Sequence, residues 1–162
     1  MNTIFQRPEN MGAHREEEFA YFQEEYNELE EDGVVNNTLI GSLDALVDIV
    51  VFAIWALHKD GMSADRINHA LQDPSRRNIQ IDTVTDYTMY RDQCIDLIFT
   101  ILNTIITLVW YTRTIGLFHE VYRSNMSKLK DGKPIPGKLP WKFGKNLESY
   151  FPPNLRDVLV PV

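Results

Sequence analysis

Three features that define large classes of protein are missing or scarce in this sequence: cysteine, excess positive charge and an apolar run long enough to span a membrane. Cys94 is the single cysteine, so an intramolecular disulfide is excluded, and its apolar neighbours favour a buried thiol. The 16 Lys and Arg residues are outnumbered by 23 Asp and Glu residues, giving a net charge of −7. Binding to a nucleic-acid polymer usually needs a basic surface, so we expect no such partner.

Two apolar segments, 43–57 and 95–111, are the candidates for membrane helices. A spanning helix needs about 20 apolar residues; both segments are shorter, and the second contains Asn103 and several threonines. We therefore expect buried helices and no membrane partner, with part of the cover supplied by a second subunit. Residues 1–9 lack the basic and then apolar pattern of a signal peptide, so we expect a cytoplasmic protein, in the host cytoplasm if a phage encodes it.

Apolar residues recur at helical spacing along most of the chain, which predicts an all-α fold in a single domain, 1–162. Residues 131–162 hold six of the eight prolines and three of the eight glycines, so we expect an extended tail packed on a helical core, 14–130. Capping residues, glycines and breaks set the limits of the elements. The expected elements are a helix at 14–32 ended by Gly33, helices at 39–59 and 63–71, and a loop at 75–84. A helix at 85–112 follows, with Gly116 as a bend and a further helix that runs to 129.

The first acidic cluster, Glu24-Glu25-Tyr26-Asn27-Glu28, lies on the first predicted helix. Glu25 and Glu28 are three residues apart and share a helix face. Glu25 follows Phe22 by three residues and precedes Leu29 by four, so it lies beside the apolar stripe. Carboxylates stacked near a core destabilise a protein unless a cation neutralises them.

The second acidic cluster is a pair, Asp44 and Asp48, one turn apart on an otherwise apolar helix. Aspartate is a poor helix former, and an unpaired buried carboxylate is costly. No Lys or Arg lies between Arg15 and Lys59, so pairing within these two helices is excluded. The group that neutralises Asp44 and Asp48 is therefore either an Arg or Lys later in the sequence or a bound cation.

The short turn between the two helices predicts antiparallel packing, which lets the four carboxylates converge. Oxygen ligands suit Mg²⁺, for which Mn²⁺ can substitute, whereas Zn²⁺ favours Cys and His. The spacing therefore predicts a metal site formed by Glu25, Glu28, Asp44 and Asp48, the alternative being surface acids with no metal. A carboxylate-held metal can grip a polyphosphate and activate a water, with Glu24 as a general base.

These residues resemble the MazG-like, all-alpha nucleoside triphosphate pyrophosphatase superfamily, which includes dimeric dUTPases. Its pattern is E-E-x-x-E on one helix and E-x-x-D on the next. The first half matches here, whereas the second reads D-x-x-x-D from Asp44 to Asp48, a variant similar to a phage and bacterial branch. That branch also carries a sequence similar to Ser-Asn-Met-Ser-Lys-Leu at 124–129, followed by Asp-Gly-Lys at 131–133.

The resemblance implies Mg²⁺-dependent hydrolysis of a (d)NTP to (d)NMP and pyrophosphate by a homodimer or homotetramer of four-helix-bundle type. It also implies that Asn125 and Lys128 hold the nucleotide, through an amide that bonds a base or sugar and an ammonium that bonds phosphate. For Asn125 the alternative is a polar helix end. Asp96, a lone acid in an apolar stretch, is a further substrate-binding candidate. Phages with modified genomes use such enzymes to remove a competing purine nucleotide, which makes dGTP or GTP a candidate substrate beside dUTP and dCTP.

Two other readings compete with the enzyme. The first is a non-enzymatic, acidic helical module for oligomerisation or adaptor contacts, which predicts no metal binding. The second is a membrane-associated hairpin, which predicts that no defined soluble oligomer forms. In the tail, aromatic residues either stack on a base or anchor the tail, and anchoring is the expected role; these are Trp141, Phe143 and Tyr150.

Overall fold

The computed structural model describes residues 15–80, 90–133, 135, 144–146 and 148–160. Within those ranges the chain is helical and has no strand, only an isolated bridge between Lys130 and Lys133. The expectation of an all-α protein is therefore confirmed. The helices are α1 (Arg15–Glu30, continued by a π-helical turn over Glu31–Val35), α2 (Leu39–Lys59), α3 (Ala64–Leu71), α4 (Tyr90–Ser127) and α5 (Leu155–Leu159).

The junction between α1 and α2 differs from the prediction that Gly33 ends the first helix. The regular helix ends at Glu30, and the π-helical turn carries the chain past Gly33 to Val35. A Cβ atom on Gly33 would lie 3.0 Å from Ser42 Oγ, so this glycine permits close approach of α2 and does not stop the helix. The turn closes where the Thr38 amide donates to the Asp32 carbonyl at 2.7 Å.

Helix α2 is the central element, and it packs against α1 on one side and α4 on the other. Its observed limits, Leu39–Lys59, match the prediction. Leu43, Val47 and Leu57 are fully buried, and burying one such aliphatic side chain stabilises a protein by about 1.5–3 kcal/mol. The apolar faces of the neighbouring helices complete this core, so α2 holds any polar side chain on its surface in a fixed position.

The connection after α2 follows the sequence signals. Gly61 adopts a positive φ of 91° and reverses the chain. Ser63 then caps α3, since its hydroxyl accepts a hydrogen bond from the Arg66 amide at 3.2 Å. Residues 75–80 are irregular, as the predicted loop requires, and the remainder of that loop, 81–84, lies outside the described residues.

Helix α4 bends close to the predicted helix end at 112 and not at Gly116, the residue predicted to mark the bend. The backbone leaves helical geometry at Trp110, with φ 71° and ψ 160°. Gly116 is instead the contact point for α5, because a Cβ atom there would lie 2.8 Å from Val158 Cγ1. The predicted beginning of this helix, 85–89, lies outside the described residues.

The expectation that both apolar segments are too short to span a membrane is wrong for the helices that contain them. Leu39–His58 and Gln93–Ser127 are long and apolar enough to cross a membrane by length and composition alone. The core helix of a soluble protein passes the same test, and 56% of the apolar window in Leu39–His58 is buried inside this chain. The corresponding share is 44% for Gln93–Ser127. Large apolar side chains remain exposed on α4, and they are Leu108, Trp110, Tyr111, Ile115, Tyr122 and Met126.

Candidate metal centre

The four carboxylates that the spacing singled out as ligands lie on α1 and α2, the two helices of one hairpin. Glu25 is buried, with 5% of its surface exposed, and it lies on the face of α1 that packs on α2. The negative charges of Glu25, Asp44 and Glu28 all act on Asp48. Asp48 is thus the centre of the cluster, with one neighbour on its own helix and two on the helix opposite.

The electrostatics at Asp48 oppose its ionisation. Burial is the largest cause that raises the pKa of Asp48 well above its usual range, followed by repulsion from Glu25, Asp44 and Glu28. The ammonium group of Lys128 acts in the opposite direction and is too weak to cancel these effects. A charged carboxylate at Asp48 therefore needs further positive charge nearby.

The pKa of Asp44 is also raised, but less than that of Asp48. Burial raises its pKa first, repulsion from Asp32 adds to the effect, and Lys128 lowers it. The Asp44 Oδ1 atom exposes less than 1 Å² to solvent and has no hydrogen-bond partner in the part of the chain that the structure describes. A buried acceptor without a partner costs about 1–3 kcal/mol, which a ligand of positive charge would offset.

Asp32 is a fifth carboxylate of this cluster that the sequence reasoning missed. Its charge reaches Asp44, and its carboxyl group lies against the first turn of α2, where a Cβ atom on Gly41 would be 2.6 Å from Asp32 Oδ2. The available signal was its position four residues after Glu28 on the same helix face. The π-helical turn that begins at Glu31 sets its direction, and such turns are frequent at functional sites.

The donor set fits a hard divalent cation. Every side chain at the centre of the cluster offers carboxylate oxygen, the ligand type that Mg²⁺ prefers. The raised pKa values and the unpartnered Asp44 Oδ1 atom mark a surplus of buried negative charge. Among the described residues, no three Asp, Glu, His or Cys side chains are close enough together to hold an ion as they stand.

Glu24 occupies a different position. It is exposed on α1, and the charges that shift the pKa values of Asp44 and Asp48 do not include it. Consecutive residues on a helix point about 100° apart, so Glu24 flanks the cluster centred on Asp48. Its role as a general base stays a prediction.

The Ser-Asn-Met-Ser-Lys-Leu sequence at 124–129 serves two purposes at the end of α4. Ser124 and Ser127 bind the C-terminal segment, because the Ser124 hydroxyl donates to the Phe151 carbonyl at 2.8 Å and Ser127 Oγ accepts from the Phe151 amide at 3.1 Å. Lys128 faces the carboxylates instead, since its charge lowers the pKa of both Asp44 and Asp48. The predicted nucleotide-binding sequence at 124–129 therefore ends near the acidic cluster.

Asn125 is half-buried on the same stretch, and no hydrogen bond of its side chain occurs within the described ranges. Its carbonyl accepts the Lys128 amide at 3.1 Å, which closes the last turn and fixes the two residues relative to each other. Among the tail aromatics, Tyr150 lies near Lys128, with the ammonium 5.8 Å from the ring centroid. Trp141 and Phe143 lie outside the described residues.

Asp96 is not brought to the carboxylate cluster in this protomer. Arg76 Nη1 bonds Asp96 Oδ1 at 2.6 Å, and the same guanidinium donates to the Ala70 carbonyl, which joins the start of α4 to the end of α3. Lys128, in contrast, follows the last residue of α4. The apolar pattern around Asp96 gave no sign of this partner, because Arg76 comes from the irregular segment 75–80.

Comparisons of this chain with protein-family models, with curated proteins and with solved structures found no match.

Proposed function

We propose that this protein is a Mg²⁺-dependent nucleoside triphosphate pyrophosphohydrolase of the MazG-like type, which converts a (d)NTP into (d)NMP and pyrophosphate in the cytoplasm. The observation that carries the proposal is the position of Asp48, partly buried and surrounded by Glu25, Glu28 and Asp44, with Lys128 beside it. Acids in this arrangement serve no evident packing purpose. They do suit a site that binds a cation and then a polyanion.

The division of work among the residues follows from their charges. Glu25, Glu28, Asp44 and Asp48 would hold Mg²⁺, or Mn²⁺ in its place. When bound, such a metal neutralises phosphate charge and lowers the pKa of a water molecule. Carboxylates alone repel a triphosphate, so metal binding is expected to precede or accompany nucleotide binding.

Other side chains would handle the nucleotide itself. Lys128 supplies a positive charge at the edge of the acidic cluster, where an ammonium can bond phosphate oxygens. Asn125, three residues earlier on the same helix face, can both donate to and accept from a base or sugar. We propose a purine substrate, dGTP or GTP, in the control of a phage nucleotide pool. Glu24 remains the candidate for the general base that accepts a proton from the attacking water.

Assembly into a homodimer or homotetramer of four-helix-bundle type is part of the proposal. Beyond the bend at Trp110, exposed apolar side chains on α4 follow helical spacing and form one stripe. This stripe consists of Tyr111, Ile115, Tyr122 and Met126. A contiguous apolar surface on a soluble protein usually marks an interface, and a second copy of this chain is the occupant we propose.

A panel of all NTPs and dNTPs with Mg²⁺, scored for pyrophosphate release, tests the activity. We expect release from at least one nucleotide and its loss in Asp48→Asn. Asp65→Asn, which removes the charge of an exposed acid on α3, is the matched control and should retain activity. If no nucleotide in the panel releases pyrophosphate, the proposed function is wrong.

The exposed stripe on α4 also favours the rival reading, a non-enzymatic oligomerisation module. That reading predicts a defined oligomer that binds no divalent cation and tolerates Asp48→Asn. Calorimetric titration with Mg²⁺ and Mn²⁺ separates the two: saturable binding that Asp48→Asn abolishes supports the enzyme. Sedimentation analysis of the same preparation tests the membrane-hairpin reading, since a defined oligomer without detergent excludes it.

A further inference from the structure

The C-terminal segment is fixed against the end of α4 by hydrogen bonds. The Ser149 hydroxyl donates to the Ser127 carbonyl at 2.9 Å, and Asn146 Nδ2 donates to the Leu129 carbonyl at 3.2 Å. The Asn146 carbonyl in turn accepts the Tyr150 amide at 2.8 Å. These contacts define the positions of the tail side chains relative to the end of α4.

Two lysines from distant parts of the chain meet at one aromatic ring in this segment. The Lys128 ammonium lies 5.8 Å from the centroid of the Tyr150 ring, and the Lys145 ammonium lies 4.9 Å from the same centroid. Tyr150 is half-buried, whereas Lys145 is exposed. A cation within about 6 Å of a ring face is attracted to it, so the ring holds both ammonium groups near itself despite their mutual repulsion.

The arrangement continues toward the acidic cluster. Lys128 is close enough to Asp44 and Asp48 to stabilise their charged forms. The charges that act on Asp44 and Asp48 include that of Lys128 but not that of Lys145, so Lys128 is the lysine nearer to the carboxylates. Lys145 has no role in the function proposed above.

We propose that Lys128 and Lys145 together bind the polyphosphate chain of the substrate, with Tyr150 setting their separation. The identity of the ligand rests on the proposed function, whereas the pairing of the two lysines rests on the contacts at Tyr150. A polyphosphate carries several negative charges along its length, so its phosphate groups can contact two separated ammonium groups at once. Lys145 then binds phosphate groups that lie farther from the carboxylates than the phosphate groups that Lys128 binds.

The test uses inorganic tripolyphosphate as the probe, titrated calorimetrically into the full chain in the presence of Mg²⁺. Lys145→Gln removes one charge at Tyr150 and should weaken binding about tenfold, the effect of losing one charge-assisted hydrogen bond. Lys130→Gln removes the charge of another exposed lysine, whose backbone pairs with that of Lys133, and should change binding less than about twofold. Both positions are exposed, so unchanged circular dichroism is expected for both variants.

Equal weakening by the two substitutions would mean that only the general field of the protein attracts the probe, and it would overturn the inference. Undiminished binding in Lys145→Gln would overturn it as well. If tripolyphosphate binding depends on Lys145 while no nucleotide is hydrolysed, the inference stands and the proposed function fails. With a nucleotide that is hydrolysed, Lys145→Gln should raise KM by a similar factor and leave kcat within about twofold, since the contact forms before the reaction.

Discussion

Replacing Asp48 by asparagine should make the metal-free protein more stable and the metal-bound protein less so. Asparagine has nearly the shape of aspartate but carries no charge. In the absence of a cation, the ionised Asp48 carboxylate is opposed by burial and by the charges of Glu25, Asp44 and Glu28. The substitution removes that opposition and leaves an amide that can donate to the neighbouring carboxylates.

The magnitude follows from the pKa of Asp48, which is higher in the folded than in the unfolded protein. The folded state therefore binds the proton more tightly, and the stability of the metal-free protein falls as the pH rises from the unfolded pKa through the folded pKa. Each pH unit between the two values corresponds to about 1.4 kcal/mol. In a protein of 162 residues, 1 kcal/mol shifts Tm by roughly 2–4 °C. The variant should therefore melt higher at neutral pH, by roughly 3–6 °C for each pH unit that separates the two pKa values.

Thermal unfolding followed by circular dichroism, with a chelator and with saturating Mg²⁺, measures both effects. The parent should gain stability from the metal, by about 2.7 kcal/mol at a hundredfold excess over Kd, and the variant should gain little. The order of the two melting temperatures should thus reverse between the two conditions. In chelator the difference should shrink as the pH falls through the folded pKa toward the unfolded pKa, since Asp48 then becomes protonated in the parent.

The control is Asp65→Asn, which should follow the parent in both conditions. A lower melting temperature for Asp48→Asn in chelator at neutral pH would refute the reasoning, because it would show that the charged carboxylate stabilises the metal-free fold. So would a Mg²⁺-dependent gain of equal size in parent and variant.

Three further substitutions test other parts of the structure. Gly41→Ala places a methyl group 2.6 Å from the Asp32 carboxyl oxygen, which must then move. This displacement should weaken Mn²⁺ binding several-fold in calorimetry. Equal Mn²⁺ affinity in parent and variant would exclude Asp32 from the site. Asp96→Asn breaks the partly buried ion pair with Arg76 and should lower the free energy of unfolding by about 1–3 kcal/mol without changing Mn²⁺ affinity; an altered affinity would place Asp96 in the site after all. A hydrogen bond from Arg123 is the main cause that lowers the pKa of Glu120. The ionised Glu120 carboxylate therefore stabilises the fold at neutral pH, and this stabilisation is lost as the pH falls through the folded pKa. Glu120→Gln should flatten the dependence of the free energy of unfolding on pH in acid, and an unchanged dependence would contradict this.

The helices could largely be predicted from the sequence because their limits depend on local chemistry. Gly61 and Ser63 determine where α2 ends and α3 begins, through a positive φ and a capping hydroxyl. The bend at Trp110 lies two residues before the predicted helix end at 112, so the break was predicted but its position was not. The glycine at 116, the local signal for a bend, contacts Val158 instead.

The acidic site likewise contains residues whose positions the sequence predicts and residues whose positions it does not. Spacing on two helices was enough to bring Glu25 and Asp48 together, because a short turn leaves few ways to pack two adjacent helices. Asp32 lies four residues after Glu28, but its direction depends on a π-helical turn, which the spacing of a regular α-helix does not predict. Lys145 depends on contacts between the tail and the end of α4 across a long stretch of chain. Such non-local contacts leave no periodic pattern.

The position of Lys128 also bears on the order in which the protein is made. The acidic hairpin of α1 and α2 leaves the ribosome early, yet the lysine that faces Asp48 follows it by about 80 residues, on the order of ten seconds of synthesis. Throughout that interval the nascent hairpin lacks the positive charge of Lys128. A dissolved cation can take its place beside Asp48, so added Mg²⁺ should favour early closure of the newborn hairpin.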